Sequence, residues 1–295
     1  MELSERRACR VLEQPRMTQR YETKRPDKDK PLIKAMRRIA AAHPRYGYRF
    51  ITAKLRQAGW QVNHKRVQRL WRKEGLQVPY RRSSRKRPGS SANAPTGRPQ
   101  ADACFVKKAE YINHVWTYDF IDDATEDGRK LKLLTVLDEW TRESPVIEVG
   151  RSIKSRDVIA VLEYLFVVRG TPKFIRSDNG PEFIANAIKG WLSEIGVETL
   201  YIEPGSPWEN GYMESFNGRF RDELLNREQF FSVKEARVLV ENWRLDYNSH
   251  RPHSGLDYET PASFAAACIA SALAAPSPRQ YTREDMDNPL IRCGT

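Results

Sequence analysis

Cysteine is scarce and poorly placed for structural work. The four in 295 residues, Cys9, Cys104, Cys268 and Cys293, form no C-x-x-C pair and have no histidine at ligand spacing. That excludes a disulfide framework and a zinc module and leaves incidental, reduced thiols. Long apolar runs are missing too. The richest, Ala262 to Ala275, is mostly alanine and too short to cross a bilayer, and Met1 to Arg7 lacks the apolar centre of a signal peptide. A cytoplasmic location and no membrane partner are therefore expected. Acidic residues are few at one end: residues 1–100 hold 7 Asp and Glu against 27 Lys and Arg, whereas the remainder holds 31 against 23. A strongly basic module joined to a mildly acidic one suggests that the first meets a polyanion and the second needs carboxylates.

What is present is enough to fold. Hydrophobic residues make up 40% and aromatics 10% of the chain, far from a disordered polymer, and the length suits about two domains. Residues 1–80 read as a small helical region. Leu32, Met36, Ile39 and Ala40 form one helical stripe from Lys30, broken before Pro44; Ile51, Leu55 and Ala58 form a second, closed by Gly59. Asn63 is a good N-cap for a third, which turns Val67, Leu70 and Trp71 inward and stops at Gly75. Two short helices across a turn suggest a helix-turn-helix whose last helix reads double-stranded DNA. Its polar face carries Lys65, Arg69 and Arg72, with Arg66 and Lys73 beside them, and a solvated cationic face is the competing reading. Residues 81–105 read as a flexible basic linker, with Arg81, Arg82, Arg85, Lys86 and Arg87 able to lie along phosphates.

From 106 to 268 the pattern becomes α/β. Val115 to Ile121 alternates, with Trp116, Tyr118 and Phe120 on one face and Val115, Thr117, Asp119 and Ile121 on the other. Strands Leu131–Leu137 and Glu143–Val149 complete a meander. Then come a helix (Ser155–Val168), a strand (Lys173–Ser177), a helix (Glu182–Ile195), a strand (Val197–Ile202) and a long helix starting near Ser206. This order predicts a mixed sheet with flanking helices, a C-terminal helical extension, and a weakly ordered tail at 269–295.

Three carboxylates stand out by position. Asp119 lies in an otherwise aromatic and β-branched strand, where an acid is costly without a positive partner. Asp178 comes directly off the fourth strand, where sites gather in open sheets, though Asp178-Asn-Gly180 is also a good turn. On the long helix, Tyr212, Met213, Phe216, Phe220 and Leu224 form the apolar stripe, and Asn210, Glu214, Asn217 and Arg221 form the polar stripe beside it. Asp122, Asp123 and Asp138 compete with Asp119 as strand-end acids. Should the three converge, each pair about 5 Å apart would repel by roughly 3 kcal/mol at an effective dielectric near 20. Two hard divalent cations would resolve that repulsion and supply an apparatus for in-line displacement at a phosphodiester.

With 35 residues between Asp178 and Glu214, the set resembles the D,D(35)E pattern of retroviral integrases and bacterial transposases. Asn113-x-x-Trp116-x-x-Asp119, Asp178-Asn-Gly-Pro-Glu-Phe183, Ser206-Pro-Trp-Glu-Asn-Gly-Tyr-Met-Glu-Ser-Phe-Asn217 and Tyr247-Asn-Ser-His-Arg-Pro-His-Ser-Gly-Leu256 are similar to the OrfB-type transposases of the insertion-sequence-three family. The resemblance implies a ribonuclease H-like fold, Mg²⁺ or Mn²⁺ as two ions, and cutting and joining of transposon ends. It implies Asp119, Asp178 and Glu214 as metal ligands. Asn179, Gly180 and Glu182 would shape the turn after the second acid, and Asn210, Asn217 and Arg221 would support the third. It further implies transposon-end and target DNA as substrates, a homo-oligomer on DNA, and an upstream-frame product as a partner. A catalytically silent DNA-binding regulator, or a nuclease without strand transfer, are the alternatives. His253 and Trp208 read as packing residues.

Overall fold

The computed structural model describes residues 4–21, 25–78, 107–177, 182–201 and 211–274. They fall into two compact units, divided between Arg87 and Pro88.

The first unit is helical. Two short helices, α1 (Glu5–Val11) and α2 (Arg16–Gln19), precede α3 (Arg25–Ala42), α4 (Tyr48–Gln57) and α5 (His64–Lys73). The first two left no periodic signal in the sequence; they are joined where Arg20 forks onto Glu5, both contacts at 2.8 Å. Helix α3 begins ahead of the expected Lys30, because the residues there are too polar to mark a periodicity. Leu32, Met36, Ile51, Leu55, Val67, Leu70 and Trp71 pack into one core, joined by Tyr46. The Asn63 side chain accepts the Lys65 N–H at 2.9 Å, starting α5 as a cap should. Gly59 (φ +84) and Gly75 (φ +66) take the left-handed conformation that ends α4 and α5. The result is an HTH-like region.

The second unit is a ribonuclease H-like α/β fold. Its strands are β1 (Val115–Ala124), β2 (Lys130–Asp138), β3 (Val146–Gly150), β4 (Phe174–Ser177) and β5 (Glu198–Tyr201), in spatial order β3-β2-β1-β4-β5. The first three form an antiparallel meander, while β4 joins β1 and β5 in parallel after crossovers through α6 (Ser155–Arg169) and α7 (Glu182–Glu194). Strand β3 starts three residues later than the sequence suggests. Pro145 offers no N–H for pairing, and Ser144 instead exchanges backbone hydrogen bonds with the Asn248 side chain at 2.9 and 2.8 Å.

Alternation on β1 sends the two faces to different cores. Trp116 and Tyr118 join Ile175, Val158, Leu162, Ile188 and Leu192 beneath α6 and α7. Ile121, Leu133 and Leu137 face Met213, Phe216, Phe220, Val240 and Tyr247 of α8 (Gly211–Phe220) and α9 (Val233–Ser249). Between those helices lies a π-helical turn, Arg221–Leu225, and a final helix, α10, spans Pro261–Ala274. The tail expected from 269 is thus helical through Ala274, in keeping with the high helix propensity of its alanines. No helix among the described residues is long and apolar enough to cross a membrane.

Candidate active site

Asp119 lies midway along β1, directly opposite Thr135 of β2, on the face covered by α8 and α9. It is half-buried. Its Oδ1 accepts the Phe120 N–H at 2.7 Å and its Oδ2 accepts the Asn217 amide N–H at 2.6 Å. The Thr135 hydroxyl reaches both the Asp119 carbonyl oxygen (3.1 Å) and Asn217 Oδ1 (3.3 Å), so strand, acid and helix are laced at one point. Asn217, expected on the polar flank of α8, is therefore buried. A side-chain amide can be buried where each of its ends finds a partner.

The third acid lies on the same helix as this contact. Glu214 and Asn217 are three apart on α8, hence neighbours on one helix surface with Cβ atoms roughly 5–6 Å apart. Glu214 is exposed on that surface, one turn toward the helix start from the residue that grips Asp119. An aromatic cluster holds the helix in place. Phe216 and Phe220 pack on Trp243 of α9 with ring centroids 5.7 and 4.6 Å apart, and Tyr247 meets Phe216 edge-on at 4.9 Å.

Asp178 follows Ser177, the last residue of β4. It lies outside the described residues, as do Asn179, Gly180 and Asn210. The pairing of β1 with β4 runs to Thr117 opposite Arg176, two residues short of Asp119 on one strand and of Asp178 on the other. Glu182 opens α7, and Arg221 is exposed at the start of the π-helical turn. Among the described residues, no three Asp, Glu, His or Cys side chains stand close enough to share a metal ion.

The rival acids have other employment. Asp138 is buried and accepts N–H groups from Asn113 (2.8 Å), Trp140 (2.7 Å) and Thr141 (3.0 Å); burial pushes its carboxyl above the usual range, and those hydrogen bonds pull it back. It anchors a turn. Asp122 is exposed, and Asp123 accepts the N–H of Ala124 at 2.8 Å. Tyr212, placed by its spacing on the apolar stripe of α8, is instead 40% exposed, with the Arg142 guanidinium 3.5 Å from its ring centroid. A cation over the ring face replaces burial at that position.

Several residues around these strands escaped the spacing argument. Asn113, at φ +61, gives its N–H to Asp138 and its side-chain amide to the Arg169 carbonyl (2.8 Å), and accepts from Trp116 Nε1 (3.1 Å), so it braces the entry to β1. The Asn113-x-x-Trp116 spacing was its only signal. Glu139 and Arg176 form a buried ion pair, Nε to Oε1 3.3 Å, with side chains 1% and 4% exposed. Burial raises the Glu139 carboxyl to about 7, against the pull of Arg176 and Arg142. His253 is buried edge-on to Tyr247 at 4.8 Å. Burial, then the charges of Arg251, Arg219 and Arg142, lower it to about 3, so it is neutral and packs. Beside it, Arg251 forks onto Glu223 at 2.7 to 3.1 Å.

In the helical unit, the five cations singled out on α5 are not equivalent. Arg66 places Nε and Nη2 on Asp29 Oδ1 at 2.9 and 2.5 Å, and Arg69 lies 3.6 Å from Asp29 Oδ2. Lys65, Arg72 and Lys73 are exposed. The linker cations Arg81, Arg82, Arg85, Lys86 and Arg87 lie outside the described residues.

Comparison with known proteins agrees with this architecture. Residues 26–84 match an HTH-like domain, and residues 110–207 and 195–261 match integrase core domains. The chain is 40% identical over 276 residues to an insertion element IS407 protein of Burkholderia multivorans, covering 92% of this chain and 93% of that one. It is 29% identical to the transposase for insertion sequence element IS904 of Lactococcus lactis, over 75% of this chain and 87% of the relative. A solved HTLV-2 integrase catalytic core domain in complex with magnesium is similar at 15% identity and a TM-score of 0.43, over 54% of this chain and 99% of that one.

Proposed function

Because the chain belongs to the insertion-sequence-three family of insertion-element transposases, DNA-recombining enzymes with an integrase core, we propose that Asp119, Asp178 and Glu214 form its catalytic centre. The reaction would be cleavage and strand transfer of the element's DNA ends. The observation that carries the reading is the Asn217–Asp119 hydrogen bond, which lashes the helix of Glu214 across the strand of the first acid. The β1–β4 register supports the place of the second acid, since both strands run in parallel toward their acids from one paired level.

The donor set suits Mg²⁺ or Mn²⁺. All three groups are hard carboxylate oxygens, and the Phe120 N–H and the Asn217 amide hold the Asp119 carboxylate in place. When bound, two such ions lower the pKa of an attacking hydroxyl and neutralise charge on the leaving oxygen. The chain's own residues do the rest. Asn217 and the Phe120 N–H orient the Asp119 carboxylate, and Thr135 sets the rotamer of Asn217 through its acceptor oxygen. The α8–α9 aromatic cluster keeps Glu214 from drifting away from β1. Water or a DNA 3′-OH would attack the phosphodiester directly, and the freed 3′-OH would attack a second strand, with no covalent protein intermediate.

Duplex DNA would be held by Lys65, Arg72 and Lys73, with Arg69 adjoining, and by the linker cations. Such an enzyme must hold two ends at once, so assembly as an oligomer on DNA belongs to the same proposal. Labelled end DNA incubated with Mg²⁺ tests it. Wild type should yield nicked and joined products, while Asp119→Asn, Asp178→Asn and Glu214→Gln should each lose both and still bind DNA. Activity in any of the three variants would refute the assignment. DNA binding by the wild type without nicking would favour a silent regulator, and nicking without joining a nuclease.

A further inference from the structure

Glu139 and Arg176 form an ion pair almost wholly removed from water, and it sits on the catalytic face of the sheet. Arg176 is opposite Thr117 of β1, and Thr117 shares its face with Asp119. Glu139 directly follows β2, where its N–H bonds the Val115 carbonyl at 3.0 Å. The pair therefore spans three strands: it reaches from the end of β2, past β1, to the penultimate residue of β4. Arg176 is fixed from a further side, giving Nη2 to the Lys107 carbonyl at 2.6 Å, while Arg142 donates to the Glu139 carbonyl.

Stability does not account for such a pair. Desolvating two charges cancels most of their attraction, and apolar residues of similar volume commonly hold a fold as well or better. Here the cost is conspicuous, because neither Glu139 carboxylate oxygen has a hydrogen bond within the described residues. What an ion pair supplies that apolar packing does not is an attraction between two particular groups, here one after β2 and one on β4. This tie lies one residue before Ser177, the last residue of β4.

We propose that Glu139 and Arg176 are positioning residues: they fix the end of β4 against Asp119 and so set the spacing at which the second acid meets the first. The inference rests on the reading that those acids hold divalent metal. Neither residue would touch metal or DNA.

The test replaces both with apolar residues of similar length in the full chain, Glu139→Met with Arg176→Met. Urea melts read stability, Mn²⁺ titration followed by electron paramagnetic resonance reads metal affinity, and the Mg²⁺ concentration for half-maximal nicking gives a third readout. The double variant should melt at or above wild type yet bind Mn²⁺ about 10–100-fold more weakly, with the Mg²⁺ requirement rising in step, as removal of an outer-sphere support does. Wild-type metal curves in the folded double variant would overturn the inference. Should that variant melt early, Glu139→Gln with Arg176→Gln removes both charges, leaves neither buried alone, and carries the same metal-binding expectation and the same refutation. Asp119→Asn separates the two levels: if it too leaves Mn²⁺ binding unchanged, the metal reading falls and takes the positioning role with it. If it abolishes binding while the pair variants behave as wild type, only the positioning role falls.

Discussion

Replacing Asn217 with leucine removes the amide that holds Asp119 and leaves a side chain of similar size against Met213 and Thr135. The lost interaction is a 2.6 Å hydrogen bond to a carboxylate. Hydrogen bonds to charged groups contribute about 1.5–3 kcal/mol, and residues that orient a metal ligand typically account for about 10–100-fold in affinity or activity, so the two scales agree. Folding should suffer less than catalysis, because Asp119 is only half-buried and water can replace the amide. Nicking of labelled end DNA across a Mg²⁺ series should therefore give a half-saturation point raised about 10–100-fold and a urea midpoint close to wild type. Asn217→Asp sharpens the test. It sets one carboxylate against another, worth about 4 kcal/mol at 4 Å and an effective dielectric of 20, so this variant should be destabilised without divalent ion and recover stability as Mg²⁺ is added. Leucine and wild-type proteins with the same Mg²⁺ curve would refute the argument that Asn217 orients the first acid.

Other expectations reach further from the site. His253 titrates at about 3 when folded against an ordinary 6.5, so its stabilisation is complete above pH 6.5 and is lost as pH falls toward 3; at pH 4 the loss is at most about 3 kcal/mol, and His253→Phe should escape it in urea melts that compare pH 7 with pH 4. Glu139 has the opposite sign. Its folded value near 7 lies above the ordinary 4.5, so stability falls as pH rises between those values and is flat above; Glu139→Gln should flatten that slope in the same melts. On α5, Lys65→Gln, Arg72→Gln and Lys73→Gln should each reduce the salt slope of duplex binding by up to about 0.9, whereas Arg66→Gln, which breaks the ion pair with Asp29, should lower thermal stability with a smaller change in slope.

The fold was legible where one face of an element meets a core. Trp116, Tyr118 and Phe120 alternate against Thr117, Asp119 and Ile121, and each set goes to its own helix layer, so periodicity alone sorts them. Capping residues worked for the same local reason, as Asn63 and Gly59 illustrate. Elements without an apolar stripe, such as α1 and α2, offered nothing to read. The three acids could be singled out by spacing, but the contacts that organise their surroundings could not. Asn217 meets Asp119 across 98 residues and Arg176 meets Glu139 across a sheet, and no local rule encodes such partners. Tyr212 went wrong because helical spacing cannot foresee an arginine arriving from the hairpin after β2. The cations of α5 were recognisable as a stripe, yet their division between Asp29 and solvent depended on where α3 runs.

The grip of Asn217 on Asp119 has one more consequence. A carboxylate with a donor on each oxygen has already lost its rotational freedom before any ion arrives, so the entropy of aligning it is spent when the chain folds. In the proposed site an incoming cation would meet a first ligand already aimed, instead of a loose arm.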